Sequence, residues 1–339
     1  MLAFGSLNSP RFRRQLAAWF RRRGRDLPWR RTRDPYAILV SELMLQQTQV
    51  ATVLPYYERW LARFPDFATL ARAATSDVLH AWQGLGYYAR ARNLQAAARA
   101  VEENFRGRMP QTAAEIATLP GVGRYTAGAV ASFAFDQAEP IVDANIARVL
   151  ARLTDWQQPI DTAAGQAHLW ETATALLPRR GGRAHNSALM ELGALVCLPR
   201  RPLCGECPVR AFCGATNPAE LPRKKPKPRT VRLHEPHVFA CRRDRILLEQ
   251  SRARWRGMWI LPRLAAAPAH EPLLELDFPF THHRVTLSVF APEEPVLPNE
   301  NRRWFSCAQI DRLPLPSPHR RALDQLLPRQ KLCSTFPRA

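Results

Sequence analysis

Lysine is almost missing from this chain. Among 49 basic residues only Lys224, Lys225, Lys227 and Lys331 are lysines, so none precedes residue 224. Arginine stays protonated in proteins and cannot stand in where a reaction needs a free primary amine. Lysine Schiff-base chemistry is therefore excluded from the first 223 residues, leaving only the N-terminal amine. Long apolar runs are lacking too, and nothing approaches the roughly 18 residues of a membrane span. The opening stretch MLAFGSLNSPRFRRQL has no apolar core followed by a small-residue cleavage site. The chain is thus expected to be soluble, intracellular and cytoplasmic. In such a reducing compartment its seven cysteines read as thiols or metal ligands, not as a disulfide frame. Alternating Val/Ile-rich runs are also missing up to about residue 213, which argues against a sheet there.

Positive charge is what the chain has in excess. The 49 basic residues face 29 acidic ones, a formal +20, which predicts a polyanionic partner and nucleic acid first. With 339 residues, roughly two domains are expected. Helices are expected near 10–23, 36–63, 87–104, 123–135, 141–152, 163–177 and 184–196, separated by glycine and proline stop signals. They form an expected helical domain over 1–216. The stretch NPAELPRKKPKPRT, 217–230, then holds four prolines, three lysines and two arginines, and reads as an extended, solvated linker to 231. Beyond it HVFACRRDRILLEQ, RVTLSVF and RRWFS are rich in β-branched and aromatic residues. A smaller α/β domain is expected over 232–328 and a disordered tail over 329–339.

Four motifs carry chemistry. Cys197, Cys204, Cys207 and Cys213 follow C-x6-C-x2-C-x5-C directly after a predicted helix, and four thiolates so close must share a metal or a cluster. A four-cysteine zinc site usually shows two C-x2-C pairs. One such pair between unequal loops better suits the corners of a [4Fe–4S] cube. In LPGVGRYTAGAV, 119–130, Gly121 and Gly123 do not begin a dinucleotide fingerprint. Thr126 stands where the third glycine belongs, and TAAEIATL before it reads as a helix, not a strand. Helix, tight turn and helix make a helix–hairpin–helix, whose glycines let backbone approach a phosphate at the next helix's N-terminus. In AILVSELMLQQTQV, Glu42 is a lone carboxylate in an apolar run. It is either on a solvated face or desolvated with a raised pKa, able to give and take a proton near neutrality. In PIVDANIARVL, Asp143 stands just ahead of a predicted helix, as an N-cap that could also face a developing cation.

The cysteine spacing after an all-helical domain containing LPGVG resembles the iron–sulfur loop of the endonuclease III superfamily of DNA glycosylases. LPWR, GLGYYARARNL and the stretches around Glu42 and Asp143 are similar to its adenine glycosylase, MutY-type branch, from about residue 10 to 213. The resemblance implies an all-α, two-lobed helix–hairpin–helix glycosylase domain, with the hairpin at about 112–135 and a [4Fe–4S] loop at 197–213. It further implies that Glu42 protonates the adenine ring, that Asp143 stabilises the oxocarbenium-like sugar, and that Asn145 orders the site. Tyr125 would stand where strand-cleaving relatives carry their lysine, as a neutral hydrogen-bonding group. Gln47 and Tyr87 would enter the duplex where the base is extruded, since a stacked base must leave the helix before such chemistry, and Thr48 would contact DNA beside them. Trp29, Arg30 and Ser187 would line the adenine pocket, although the family often has a carboxylate or amide at the position of Ser187. Arg200 and Arg201, in the first inter-cysteine loop, would face DNA phosphates beside Gly121 and Gly123.

More weakly, 232–328 resembles the MutT-like (Nudix-like) C-terminal domain of the same enzymes. No REx2EExG signature is present, so pyrophosphate hydrolysis is not expected. FTHH, with Phe280, Thr281, His282 and His283, would be the 8-oxoguanine-recognition loop. The expectation is a monomeric, monofunctional adenine DNA glycosylase acting on duplex DNA with adenine opposite 8-oxoguanine or guanine. Its rivals are an endonuclease III-like lyase and a catalytically dead iron–sulfur DNA-binding protein. Cys241, Cys307 and Cys333 read as ordinary residues.

Overall fold

The computed structural model describes residues 10–226 and 228–330. Twelve helices come first among the described residues: α1 Pro10–Arg23, α2 Pro28–Arg31, α3 Pro35–Leu45, α4 Val50–Arg63, α5 Phe67–Arg72, α6 Thr75–Ala81, α7 Ala89–Phe105, α8 Ala113–Ile116, α9 Arg124–Phe135, α10 Ala144–Leu153, α11 Ala163–Leu176 and α12 Gly182–Leu195. None is long and apolar enough to cross a membrane.

Contacts divide the chain into two compact units. The first runs up to Ala71 and resumes at Ala96–Pro226; the second joins Arg72–Gln95 to the residues after Pro226. The helical region therefore does not stay whole, as its uniform composition suggests. Segment 72–95 groups with the C-terminal residues because its polar groups bond there. Gln83 Oε1 accepts from Leu315 N at 3.2 Å, and Arg92 Nη1 donates to Arg256 O at 3.1 Å.

In the first unit α1, α10 and α12 enclose a core that includes Phe12, Leu16, Ile146, Leu150, Leu189 and Leu192. Helix α3 is buried on every face, with nine of its eleven residues inside. Such a helix is a core element, so any polar group on it is desolvated. The single helix expected over 36–63 is broken between Leu45 and Val50. Gln47 there takes a left-handed φ of 58°, and the Gln46 amide leaves the helix to donate to Thr126 Oγ1 at 3.3 Å. The proline-rich stretch also departs from a wholly solvated linker. Leu221 is buried, and its carbonyl accepts from the buried Arg152 guanidinium at 3.0 Å, which ties the stretch to the first unit as far as Lys225 N, bonded to Asp161.

The second unit holds two sheets. In one, β1 Val231–Val238 lies parallel to β6 His283–Phe290, which runs antiparallel to β5 Leu274–Phe280. In the other, β3 Arg245–Gln250 pairs with β2 Cys241–Arg242, β4 Trp259–Ile260 and β7 Arg302–Ser306. A short helix, α13 Cys307–Ile310, precedes α14 Ser317–Gln330, and Ala322, Leu323 and Leu326 of α14 join the core of Leu248, Leu261, Val285 and Leu287. Helix α14 carries regular structure two residues into the tail expected from 329. Residues 331–339, with Cys333, lie outside the described residues.

Candidate active site

Glu42 lies on the fully buried α3 and is itself 4% exposed. Helix α9 packs on α3 and brings Tyr125 to it, where the phenol donates to Glu42 Oε2 at 2.8 Å. Burial pushes the Glu42 carboxyl up to about 7. The Tyr125 hydrogen bond and the nearby Arg30 work against that rise, while Asp143 adds to it. Near neutral pH this group is divided between acid and carboxylate, as proton transfer in both directions requires.

Asp143 caps α10, with Oδ1 accepting from Ile146 N at 2.7 Å and Oδ2 from Asn145 Nδ2 at 3.2 Å. Burial raises this carboxyl as well, against those hydrogen bonds. Arg148, one turn on, donates to Asn145 Oδ1 at 2.9 Å, to Gly193 O at 2.7 Å and to Cys197 O at 2.7 Å. Gly193 makes this possible: a Cβ there would stand 2.7 Å from Asn145 Cβ, so only glycine lets α12 lie this close to the start of α10.

Glu42, Tyr125, Asp143 and Asn145 line one cavity of about 470 Å3 together with Trp29, Arg30, Gln47 and Thr48. A narrower recess of about 40 Å3 shares Trp29, Arg30 and Glu42 and adds Ser187. The expected acid, aspartate, tyrosine and base-pocket residues therefore converge. Tyr87 belongs to the second unit, in a left-handed turn with φ 49°, half exposed and covered on one face by Arg90.

Three charged lining residues were not singled out from sequence. Glu191, whose side chain is wholly buried, accepts from Arg25 N, Nε and Nη2 at 2.7, 2.8 and 2.9 Å and from Arg30 Nη2 at 2.8 Å. These bonds overcome its burial and hold the carboxyl down to about 2. Arg25 shares the larger cavity, and Arg183 the recess. The signal for Glu191 was available, since it is a lone acid in the apolar run of SALMELGAL, as Glu42 is in its own.

The hairpin is built as its glycines suggest. Thr112 and Glu115 form a capping box on α8, Gly121 turns the chain at φ 73°, and Gly123 caps α9 with open space where a Cβ would be. Farther along, Cys197, Cys204, Cys207 and Cys213 line a single cavity. The Arg152 guanidinium donates to Cys197 Sγ at 3.2 Å and to the carbonyls of Leu198 and Pro199. Four cysteines lining one cavity, with a buried cation beside it, fit an anionic iron–sulfur cluster. Arg200 and Arg201 are exposed on the adjoining loop.

In the second unit, Thr281 turns β5 into β6 with φ 54°, and its hydroxyl donates to Phe280 O at 2.7 Å. Thr281, His282 and His283 line a cavity of about 360 Å3.

The hairpin, the two carboxyls and the cysteine loop together define a helix–hairpin–helix protein with an iron–sulfur site. Residues 40–173 match the HhH-GPD superfamily of base excision DNA repair proteins, and 197–213 match the iron–sulfur binding domain of endonuclease III. The match over 197–213 indicates a [4Fe–4S] cluster in this segment. An adenine DNA glycosylase of Rattus norvegicus is 49% identical over 214 residues, covering 60% of this chain and 41% of its own. One from Buchnera aphidicola subsp. Schizaphis graminum is 31% identical over 257 residues, 74% of each chain. The solved structure of a thermostable thymine-DNA glycosylase is similar at a TM-score of 0.55 and 32% identity, covering 60% of this chain and 94% of that one. The chain belongs to this helix–hairpin–helix repair superfamily and, within it, to the family of the adenine DNA glycosylases it matches. It spans about 41% of the length of the rodent relatives.

Proposed function

We propose that the chain is a monofunctional adenine DNA glycosylase of base excision repair. It hydrolyses the N-glycosidic bond of adenine opposite 8-oxoguanine or guanine in duplex DNA and leaves an abasic site in an uncut strand. The observation that carries this reading is the buried Glu42 carboxyl, bonded to Tyr125 and sharing one cavity with Asp143. Glu42 gives its proton to the adenine ring, the bond to the sugar breaks with its electron pair leaving on the base, and Asp143 faces the resulting oxocarbenium-like sugar. Water then adds to the sugar and loses a proton. Asn145 orients Asp143, and Trp29, Arg30 and Ser187 hold the extruded base. Gly121, Gly123, Arg200 and Arg201 hold phosphates, Thr48 contacts DNA, and Gln47 and Tyr87 enter the gap.

The C-terminal unit is a MutT-like domain that reads 8-oxoguanine with Phe280, Thr281 and His282. The enzyme works as a monomer in the cytoplasm, on the nucleoid. Support comes from the family membership, the +20 charge and the lysine-free helical region. The test is adenine release from duplexes with adenine opposite 8-oxoguanine or thymine, with borohydride trapping alongside. Release selective for the 8-oxoguanine duplex without a trapped adduct is expected. Efficient trapping would mean a lyase instead. Thr281→Ala should narrow the preference for 8-oxoguanine over guanine, and an unchanged ratio would remove that loop from recognition.

A further inference from the structure

Two arginines, Arg25 and Arg30, line the cavity that holds the candidate acid. Arg25 and Arg30 converge on one carboxylate, Glu191, through four hydrogen bonds of 2.7 to 2.9 Å. Arg30 is also fixed by its Nη1 bond to Arg25 O at 3.0 Å and by its guanidinium lying 5.3 Å over the Phe20 ring. The Glu191 side chain has no exposure, so its charge is spent on these two partners and not on solvent.

We propose that Glu191 is a positioning residue that holds Arg25 and Arg30 against the cavity and offsets one of their two positive charges, so that Glu42 across the same cavity stays an acid. The inference rests on the reading of Glu42 as proton donor. A pair of uncompensated guanidiniums facing a desolvated carboxyl favours its ionised form, because Coulomb attraction is strong where water is excluded. Arg30 already lowers the Glu42 carboxyl even while paired. The other charged and titratable groups around Glu42 are Tyr125 on α9, Asp143 ahead of α10 and Arg183 on α12. Tyr125 is neutral, since burial and the nearby carboxyls raise its phenol well above its ordinary value. Arg183 is bonded to the carbonyls of Phe133, Arg30 and Thr32. Glu191 is therefore the carboxylate that brings the arginine pair from +2 down to +1. Hydrogen bonds from that pair keep it ionised down to about pH 2.

The test is single-turnover adenine release from an adenine–8-oxoguanine duplex between about pH 5 and 9, for the wild type, Glu191→Gln and the double variant Glu191→Gln/Arg25→Gln. In Glu191→Gln the alkaline limb should move to lower pH, with release several-fold slower at about pH 8 and near wild type at about pH 5.5. The double variant removes one of the freed cations and should move the limb back. Arg25→Gln alone, which takes the group from +1 to neutral because Arg30 still pairs with Glu191, should move it the other way and serves if Glu191→Gln does not fold. A uniform loss at every pH, or an unmoved limb, would overturn the electrostatic role. A wild-type profile without an alkaline limb, or a Glu42→Gln enzyme that still turns over, would instead overturn the reading of Glu42.

Discussion

The Tyr125 phenol donates a 2.8 Å hydrogen bond to Glu42 Oε2. One hydroxyl thus restrains the buried carboxyl. It favours the carboxylate form of Glu42 while burial opposes that form.

Tyr125→Phe should therefore raise the Glu42 pKa above about 7 and move the alkaline limb of the pH–rate profile upward. A hydrogen bond to a charged group contributes about 1.5–3 kcal/mol, so a shift of about one to two pH units is expected. The profile under single-turnover conditions checks it, and a downward shift would contradict it.

Glu42 should also leave a mark on stability. Its folded pKa is raised to about 7 from an ordinary 4.5. That contribution is fully present below the unfolded value and is lost as pH rises through about 7. The loss is at most about 3 kcal/mol. Glu42→Gln should consequently melt above the wild type at about pH 8 and alongside it at about pH 5. Melting curves at the two pH values decide this.

The second unit should fail in acid. His237 and His319 are fully buried, 4.8 Å apart, with their Nδ1 atoms bonded to the carbonyl and the amide of Leu261. Burial lowers His237 to about 4 and His319 well below its ordinary 6.5. Their stabilising contribution is complete above about 6.5 and is lost as pH falls toward about 4. Limited proteolysis at about pH 5 and 7.5, with fragments located by mass, should show added cleavage within 231–330 at the lower pH. His319→Phe should reduce that difference.

Arg152 holds the cysteine loop. It is 1% exposed and bonds to the carbonyls of Leu198, Pro199 and Leu221 as well as to Cys197 Sγ. Arg152→Leu leaves these acceptors orphaned, at about 1–3 kcal/mol each. The variant should lose the iron–sulfur absorption band and bound iron, both measured on purified protein. Full iron content would contradict the role.

Much of this was legible because apolar spacing and caps act locally. Asp143 ahead of α10, the two glycines of the hairpin and the cysteine spacing each read out a local geometric need. Glu42 was visible as an acid in an apolar run. What escaped depends on distant partners. Glu191 is defined by arginines 161 and 166 residues away, and segment 72–95 by bonds to residues beyond 250. The break after Leu45 was hidden because QQTQ, 46–49, carries no glycine or proline stop signal, and it is a glutamine that turns left-handed.

The most direct test of the account is adenine release by Glu42→Gln under single-turnover conditions, with binding to the same adenine–8-oxoguanine duplex measured in parallel. Removing a general acid costs about 10²–10⁴ in rate. The account predicts a loss of that order with binding kept within about threefold of the wild type. Undiminished release would contradict the role of Glu42 as the acid that makes adenine leave.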